Sequence, residues 1–274
     1  MKRTIVVLFF LCLSNLGISQ NILNSIGRKG EFYFYWGWNR SWYGKSDINF
    51  KGKDYNFTLS DVKAKDRQTP FSFGKYLNPG NATIPQYNFR IGYYFKDNYS
   101  FSIGIDHMKY VMVQNQQVLI DGTISNSSAT YDGSYNDEPI TLIEDFLQFE
   151  HTDGLNYLNI DIRKHFNLIN NTTTSIAIDG MVGIGVGILV PRTNTTLLNK
   201  ERYDEFHVSG YGLNGLIGVK TTFFNWFFIQ GELKAGYIGM PNIRTTKFTE
   251  DTASQDFIFA QANIVFGVQF NIDK

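Results

Sequence analysis

The chain contains a single cysteine, Cys12, little proline and no excess of charge of either sign. One cysteine excludes both a disulfide framework and a cysteine-rich zinc site. The 25 basic and 25 acidic residues leave no basic surplus, which argues against a nucleic-acid partner. The 274 residues are 43% hydrophobic and only 18% charged, so the chain can bury a core and is not intrinsically disordered.

The first twenty residues have the pattern of a secretory signal. Lys2 and Arg3 precede an apolar run over residues 5–13, and small residues follow up to Ser19. This run is too short to span a bilayer, so we expect cleavage near Ser19. The sequence therefore predicts a signal peptide over residues 1–19, which takes Cys12 with it, and a single domain over residues 20–274.

The rest of the chain lacks both long apolar runs and helical periodicity. No stretch after residue 20 offers the eighteen or so consecutive apolar residues of a membrane helix. Alternation with a period of two is present instead in eight segments, most about ten residues long. In the fifth of these segments, Ile184, Val186 and Ile188 alternate with Gly183, Gly185 and Gly187.

Segment length and connection length together favour a membrane barrel. Soluble strands average about five to six residues, whereas tilted membrane strands need about nine to eleven. Long and short connections alternate, as in barrels with short periplasmic turns and long external loops. The predicted connections are residues 44–84, 97–99, 112–155, 167–174, 191–207, 224–226 and 239–256.

This pattern resembles the small outer-membrane barrels of Gram-negative bacteria, of the OmpA-barrel and OmpX type. The resemblance covers nearly all of residues 30–272 and is architectural. Gly267, Phe270 and Ile272 also fit the spacing of the terminal-strand signal that the barrel assembly machinery reads in that family, although Val265 replaces its polar residue and the chain continues to Lys274. The resemblance implies an eight-stranded, antiparallel, up-and-down transmembrane β-barrel with long external loops.

In such a barrel the apolar faces meet lipid and the polar faces fill the interior. An eight-stranded interior is just wide enough for side chains, so we expect its charges to form a plug of ion pairs rather than a selective pore. The charged residues predicted to face inward are Arg90, Asp106, Asp161, Arg163, Asp179, Lys220, Glu232 and Lys234.

The positions of the short turns predict which of these residues meet. Buried charges persist when they are paired, so opposite or diagonal neighbours across a turn are the natural partners. Lys96 is expected opposite Ser100. The three expected ion pairs are Arg90 with Asp106 directly opposite it, Arg163 with Asp179 at matching depth, and Lys220 with Glu232 as a diagonal neighbour.

Aromatic residues cluster near the predicted strand ends. Amphipathic rings favour the membrane interface, so anchoring explains them better than a base-stacking or sugar-binding platform. The expected interface residues are Trp36, Trp38, Trp42, Tyr93, Tyr99, Tyr211, Phe223, Trp226 and Tyr237.

Few residues suggest chemistry. The four histidines have no zinc-like spacing, so no metal site and no cofactor are expected. Glu205, His207 and Ser209 alternate towards the predicted lipid face, and a His-x-Ser pair there resembles the outer-membrane lipid A deacylases, in which His activates Ser. Gly210 stands where that family has Asn, and only Tyr237 and Gly239 are found on the neighbouring strand where that family has its acid.

The sequence thus predicts a monomeric outer-membrane barrel of a Gram-negative bacterium that is exported by a cleaved signal peptide. The barrel is expected to have a closed lumen and to serve a structural or surface-interaction role without enzymatic activity. Its expected partners are outer-membrane lipid, lipopolysaccharide and the barrel assembly machinery. Two alternatives stay open: a lipid A or phospholipid acyl hydrolase using Ser209 and His207, and a soluble lipocalin-like barrel with an apolar interior. The ligand of the external loops is left undetermined.

Overall fold

The structure is a computed structural model that describes residues 27–81, 84–127, 130–202 and 204–272. The predicted signal peptide lies outside these residues. Within the described part of the chain there are fourteen strands, a one-turn helix α1 (Phe73–Tyr76) and a short 3-10 helix (Pro79–Asn81). The strands are β1 (Glu31–Tyr43), β2 (Ser46–Lys51), β3 (Tyr55–Val62), β4 (Ala64–Lys65), β5 (Tyr87–Lys96), β6 (Tyr99–Met112), β7 (Gln116–Ile124), β8 (Gly133–Leu142), β9 (Leu147–Asn171), β10 (Ile176–Leu189), β11 (Asn194–Leu197), β12 (Gly210–Phe223), β13 (Phe227–Arg244) and β14 (Thr252–Asn271).

Eight strands form a closed antiparallel ring in the order β1-β5-β6-β9-β10-β12-β13-β14. The ring closes where β1 pairs with β14, from Glu31 opposite Asn271 to Tyr43 opposite Phe259. Neighbours in the ring follow one another along the chain once the short additional strands are set aside. The predicted eight-stranded up-and-down barrel is therefore confirmed.

The facing of the strands follows the sequence alternation. On β10, Ile184 is 70% exposed, and Val186 and Ile188 also point outward, whereas Asp179 is buried. Glu232 on β13 is likewise buried. The soluble lipocalin-like alternative needs the opposite facing in this part of the barrel and is wrong.

Short turns join the strands at one end. Phe224 and Asn225 both have positive φ, 56° and 66°, which allows the tight connection between β12 and β13. The connection between β9 and β10 is shorter than predicted because β9 extends to Asn171, whose Oδ1 accepts hydrogen bonds from the amides of Thr173 and Thr174.

At the other end, the segments predicted as loops are largely ordered sheet. Residues 44–84 contain β2, β3, β4 and α1, and residues 112–155 contain β7, β8 and the start of β9. The sheet continues in the order β14-β2-β3-β7-β8, while β4 pairs with β6 and β11 with β9. The last long connection shrinks to residues 245–251 because β13 and β14 extend towards each other. We call this region, formed by β2, β3, β7, β8 and the extended strand ends, the upper storey.

The upper storey has an apolar core of its own. Phe50, Phe57 and Phe146 are almost completely buried, and Phe50 stacks on Phe57 with ring centroids 5.5 Å apart. This core continues into the top of the barrel through Phe257 and Tyr157. Alternation from Tyr55 to Leu59 on β3 buries every second residue in this core, and this burial is the reason why the segment folds as a strand rather than as a flexible loop.

A substitution of Gly37 on β1 tests the close packing of β1 against β14, where the barrel closes. A Cβ on Gly37 would overlap the backbone of Ile264 and Val265 on β14. Because backbone cannot move aside cheaply, we expect Gly37→Ala to lower the free energy of unfolding by about 2 kcal/mol, measured by urea titration in detergent. Gly231→Ala is the control because its Cβ meets nothing within 4 Å, and we expect a change within about 0.5 kcal/mol. Equal effects of the two variants would contradict the packing of β1 on β14.

Candidate functional site

The middle of the barrel holds six charged side chains. They come from β5, β6, β9 and β13, each at an inward position of its strand, and all are at least 97% buried. Three are basic and three acidic, so their formal charges cancel. They are Arg90, Asp106, Asp161, Arg163, Glu232 and Lys234.

Ion pairs connect these six residues into one network. Asp161 lies 2.9 Å from both Arg90 and Arg163, and Arg163 also lies 2.5 Å from Glu232. Asp106 lies 3.4 Å from Arg90 and 2.5 Å from Lys234. Since β6 and β13 are four places apart in a ring of eight, the bond from Asp106 to Lys234 joins opposite walls of the barrel.

Tyr35 on β1 lies among these charges. Its hydroxyl accepts hydrogen bonds from Arg90 Nε at 3.0 Å and from Arg163 Nη2 at 2.9 Å, and it donates to Glu232 Oε1 at 3.4 Å. One phenol thus connects β1 to β5, β9 and β13.

Neutral polar side chains complete the network. Asn159 accepts from Arg90 at 2.7 Å and donates to Asp106 at 3.1 Å. Gln230 donates to Glu232 at 2.6 Å. Burying a charge costs several kcal/mol unless paired charges and further hydrogen bonds compensate it. Each charged group of the network has an oppositely charged partner, and Arg163 Nε is left without a hydrogen bond.

A second polar layer lies nearer the short turns. Arg28 forms a buried ion pair with Asp179. The Lys220 ammonium donates to Gln269 Oε1 at 2.5 Å and to the Tyr94 hydroxyl at 3.2 Å, and it lies 4.1 Å from the centre of the Phe228 ring. Lys220 is therefore held by neutral oxygens and aromatic faces.

Of the three expected ion pairs only Arg90 with Asp106 forms, and of the expected positions only that of Lys220, as a diagonal neighbour of Glu232, is confirmed. Lys96 lies opposite Tyr99 rather than Ser100. Asp179 pairs with Arg28 and lies opposite Asn167, so it does not meet Arg163. Lys220 lies opposite Gln230 and forms no ion pair with Glu232. Arg90 does bond Asp106, although the residue directly opposite Arg90 is Gly104.

Shorter turns and irregular pairing together explain these differences. β6 begins at Tyr99, one residue earlier than predicted, and a register shift between Tyr94 and Lys96 moves the β5–β6 pairing by one further residue. β9 extends to Asn171, five residues beyond its predicted end, and a second register shift lies between Ile178 and Asp179. An extra residue in a strand is a bulge, which alternation in the sequence does not show.

The expected hydrolase residues do not assemble. β12 begins at Gly210, so Glu205, His207 and Ser209 precede the strand and do not share its lipid face. Ser209 is 2% exposed, and its hydroxyl donates to the backbone oxygen of His207 at 3.3 Å. Glu205 is exposed. The prediction that alternation places all three on the lipid face is wrong because this segment is not a strand.

The remaining histidines have structural contacts. His151, in the upper storey, lies 2.9 Å from Thr193 and 3.2 Å from Gln255, and burial lowers its pKa to about 3, which keeps the ring neutral. His165 lies 2.9 Å from Ser100 Oγ. Among the described residues, no group of three or more His, Cys, Asp or Glu side chains is placed to hold a metal ion.

The nine expected interface aromatics occupy outward positions or a turn. Trp226 lies in the turn between β12 and β13, and the ring of Tyr211 lies 6.5 Å from that of Tyr237. Trp42, Tyr93, Tyr99 and Phe223 lie within three residues of an end of their strand. Trp36, Trp38 and Tyr237 differ because they lie mid-strand. Trp36 and Trp38 pack edge to face at 5.0 Å and also contact Phe266.

The residues of the expected assembly signal lie at the end of β14. Gly267 faces inward, and a Cβ there would overlap the backbone oxygen of Phe34. Phe270 and Ile272 are exposed on the outside. Val265, the departure from the family spacing, is fully buried beside Tyr35 and Phe228.

Sequence reasoning missed Tyr35, Asn159 and Arg28 as members of the polar interior. Tyr35 and Asn159 lie at positions that alternation already places on the polar face, so their facing was available from the sequence. Arg28 precedes the first strand, and nothing in the periodicity indicates that it turns inward.

The network predicts a large cost for removing one charge. Glu232→Gln leaves Arg163 with one carboxylate instead of two, so we expect the free energy of unfolding in detergent to fall by about 3 kcal/mol. Glu201→Gln, in an exposed pair with Lys247, should cost less than about 1 kcal/mol. The double variant Arg163→Met/Glu232→Gln restores neutrality and should recover part of the loss. A Glu232→Gln protein as stable as Glu201→Gln would contradict the network.

No helix in the described residues is both long and apolar enough to cross a bilayer. No protein-family model matches the sequence, and no curated protein matches it significantly.

Structural comparison finds similar outer-membrane barrels at low identity. OprG of Pseudomonas aeruginosa is 12% identical, with 89% of this chain and 98% of that chain covered at a TM-score of 0.36. Ail of Yersinia pestis is 10% identical, with 88% and 99% covered at 0.33, and Neisserial surface protein A is 10% identical, with 85% and 98% covered at 0.32. Since these scores are low, the assignment of this chain as an eight-stranded barrel rests on its own strand pairing.

Proposed function

We propose that the protein is an outer-membrane β-barrel whose role is structural or lies in surface interaction. The observation that carries this proposal is the opposite chemistry of the two faces of one closed sheet. Charged side chains fill the interior, while the exterior is a continuous apolar wall. In water that wall would be an aggregation hazard, but in lipid it is the required surface.

The height of the wall fits a bilayer. On β14 the outward positions from Ile258 to Phe270 carry only apolar residues, including Ile264 and Phe266. At a rise of about 3.4 Å per residue and a tilt of about 40°, this stretch covers about 30 Å along the membrane normal. That length matches the hydrocarbon core of a membrane.

A closed lumen supports a structural role over transport. The ion-pair network joins opposite walls through Asp106 and Lys234, and the apolar core of the upper storey continues into the top of the barrel. An ion or solute would have to break buried charge pairs to pass, which costs several kcal/mol.

The upper storey supports surface interaction. It packs β7 on an apolar core and pairs β8 with β7, so the backbone that carries the exposed side chains of these strands is part of the sheet. Rigid display lowers the entropy that a partner's binding must overcome. The expected partners of the whole protein are outer-membrane lipid and lipopolysaccharide around a monomeric barrel, with the barrel assembly machinery acting on the terminal strand.

Cysteine labelling tests the membrane topology, since Cys12 is the sole cysteine. Glu138 is exposed on β8 in the upper storey, and Asn98 is exposed in a short turn at the other end. We expect Glu138→Cys to react with a membrane-impermeant maleimide on intact cells. Asn98→Cys should react only after the outer membrane is permeabilised.

Wild type gives the background of this labelling, and heat-modifiable migration in detergent gels shows that each variant is folded. Labelling of both variants on intact cells, or recovery of the protein in a soluble fraction without detergent, would contradict the proposed barrel topology.

Lipid A mass spectra test the hydrolase alternative. Because Ser209 is buried and bonds the backbone of His207, we expect cells expressing wild type and Ser209→Ala to give identical spectra without a deacylated species. A deacylated species that appears with wild type and disappears with Ser209→Ala would establish the acyl hydrolase instead.

A further inference from the structure

A groove of about 650 Å³ opens on the outer wall of the barrel, at the upper end of the apolar surface. Outward residues of β6 and β9 form its floor. Residues before β5 and around the β10–β12 connection form its sides, among them Ile84, Arg192 and Phe206. The groove lies outside the lumen, so the ion-pair network has no part in it.

Irregular strand pairing creates the groove. Met108 pairs with Leu155 and Tyr110 with His151, so β9 carries two more residues than β6 over this interval. Gly154 takes a φ of +126°, which side chains rarely allow. The bulge carries Thr152 and Asp153 into the lining of the groove.

The floor of the groove continues into the lipid-facing wall. Ile105 pairs with Leu158, and directly below them Ile103 pairs with Ile160 and Phe101 with Ile162. All of these side chains except Ile105 are at least 40% exposed. Two adjacent apolar columns therefore run from the groove towards the middle of the membrane.

The middle of the groove is polar but uncharged. His107 stacks on Tyr87 with ring centroids 4.9 Å apart, and its Nδ1 lies 2.8 Å from Asn156 Oδ1. His107 lies two residues above Ile105 on β6, which corresponds to about 7 Å along the strand.

The upper rim is cationic. Lys109 lies two residues above His107, and its ammonium donates to the backbone oxygen of Ile84 at 3.1 Å. Arg192 lies 3.2 Å from Asp153, in a pair whose side chains are 39% and 52% exposed. Two cations against one carboxylate leave the rim with a net positive charge.

We propose that this groove binds one anionic, phosphate-bearing acyl lipid of the surrounding leaflet, with its phosphate at Lys109 and Arg192 and an acyl chain along the columns below Ile105 and Leu158. Apolar, neutral polar and cationic layers follow one another in the order of the acyl, ester and phosphate parts of such a lipid. The proposal depends on the membrane location proposed above, because only a bilayer presents a lipid to this wall.

Native mass spectrometry of the detergent-solubilised full-length barrel tests the proposal. With equal amounts of dioleoyl phosphatidylglycerol and dioleoyl phosphatidylcholine, we expect wild type to retain one phosphatidylglycerol about fivefold more often, the effect of one net cation. Lys109→Gln/Arg192→Gln should lose this preference. Glycerophosphoglycerol, the headgroup without acyl chains, should not displace the lipid at equal concentration.

The matched control is Arg40→Gln/Lys45→Gln. These exposed cations lie outside the groove, and Lys45 is paired with Asp61 as Arg192 is with Asp153. The control should keep the wild-type preference, and heat-modifiable migration shows that both double variants are folded.

Equal retention of the two lipids by wild type, or loss of the preference in the control as well, would overturn the proposal, and so would displacement by the free headgroup. If the cysteine labelling still shows the barrel topology, such a result removes the groove alone. If the topology fails as well, both proposals fall.

Discussion

The structure depends on the mutual neutralisation of the charged side chains that are buried inside the barrel. In the proposed membrane location every barrel strand has one face in lipid, so its polar residues have only the interior to occupy. Asp161 receives two arginines there, and Asp106 receives an arginine and a lysine. An isolated charge in this position would cost several kcal/mol, a large part of the stability of a typical domain, and the ion-pair partners offset that cost. The same bonds that neutralise the charges therefore also hold opposite walls at a fixed distance.

The chemistry of the interior changes where the surrounding lipid ends. On β14, Gln261 and Asn263 face the charged middle of the barrel, whereas Phe257 and Phe259 face the apolar core above it. Above the membrane the exterior can be polar, so apolar side chains are free to turn inward, as in a soluble protein. Along β14 the inward side chains thus change from polar to apolar, while the strand stays paired with its neighbours at this point. This change allows β9 to reach 25 residues, far more than a bilayer requires.

The sequence predicts the barrel well and the contacts within it poorly, for physical reasons. Alternation depends only on which face a residue occupies, so the strands and the facing of residues such as Ile184 follow directly from it. The strands of the upper storey lie in segments predicted as connections, because β3 pairs with β7 across a long stretch of chain and alternation does not show such a pairing. Arg163 meets Glu232, three strands away around the ring, and no argument from a turn between neighbouring strands identifies such a partner. Bulges add to the difficulty, since one inserted residue changes every pair beyond it.

The bulge on β9 lies where the two arrangements meet, and this position has a physical reason. Tyr157 is an inward residue at the base of the apolar core, and Leu158 is the uppermost apolar residue of the outer wall on this strand. Regular pairing above this point would continue the straight column of outward side chains into the headgroup region. The extra residues of β9 instead divert the strand, and Gly154 supplies the backbone conformation that the diversion needs. A defect in the ladder is least costly at this depth, because backbone groups that leave the sheet can bond to water or to polar headgroups, whereas in hydrocarbon they would remain unsatisfied.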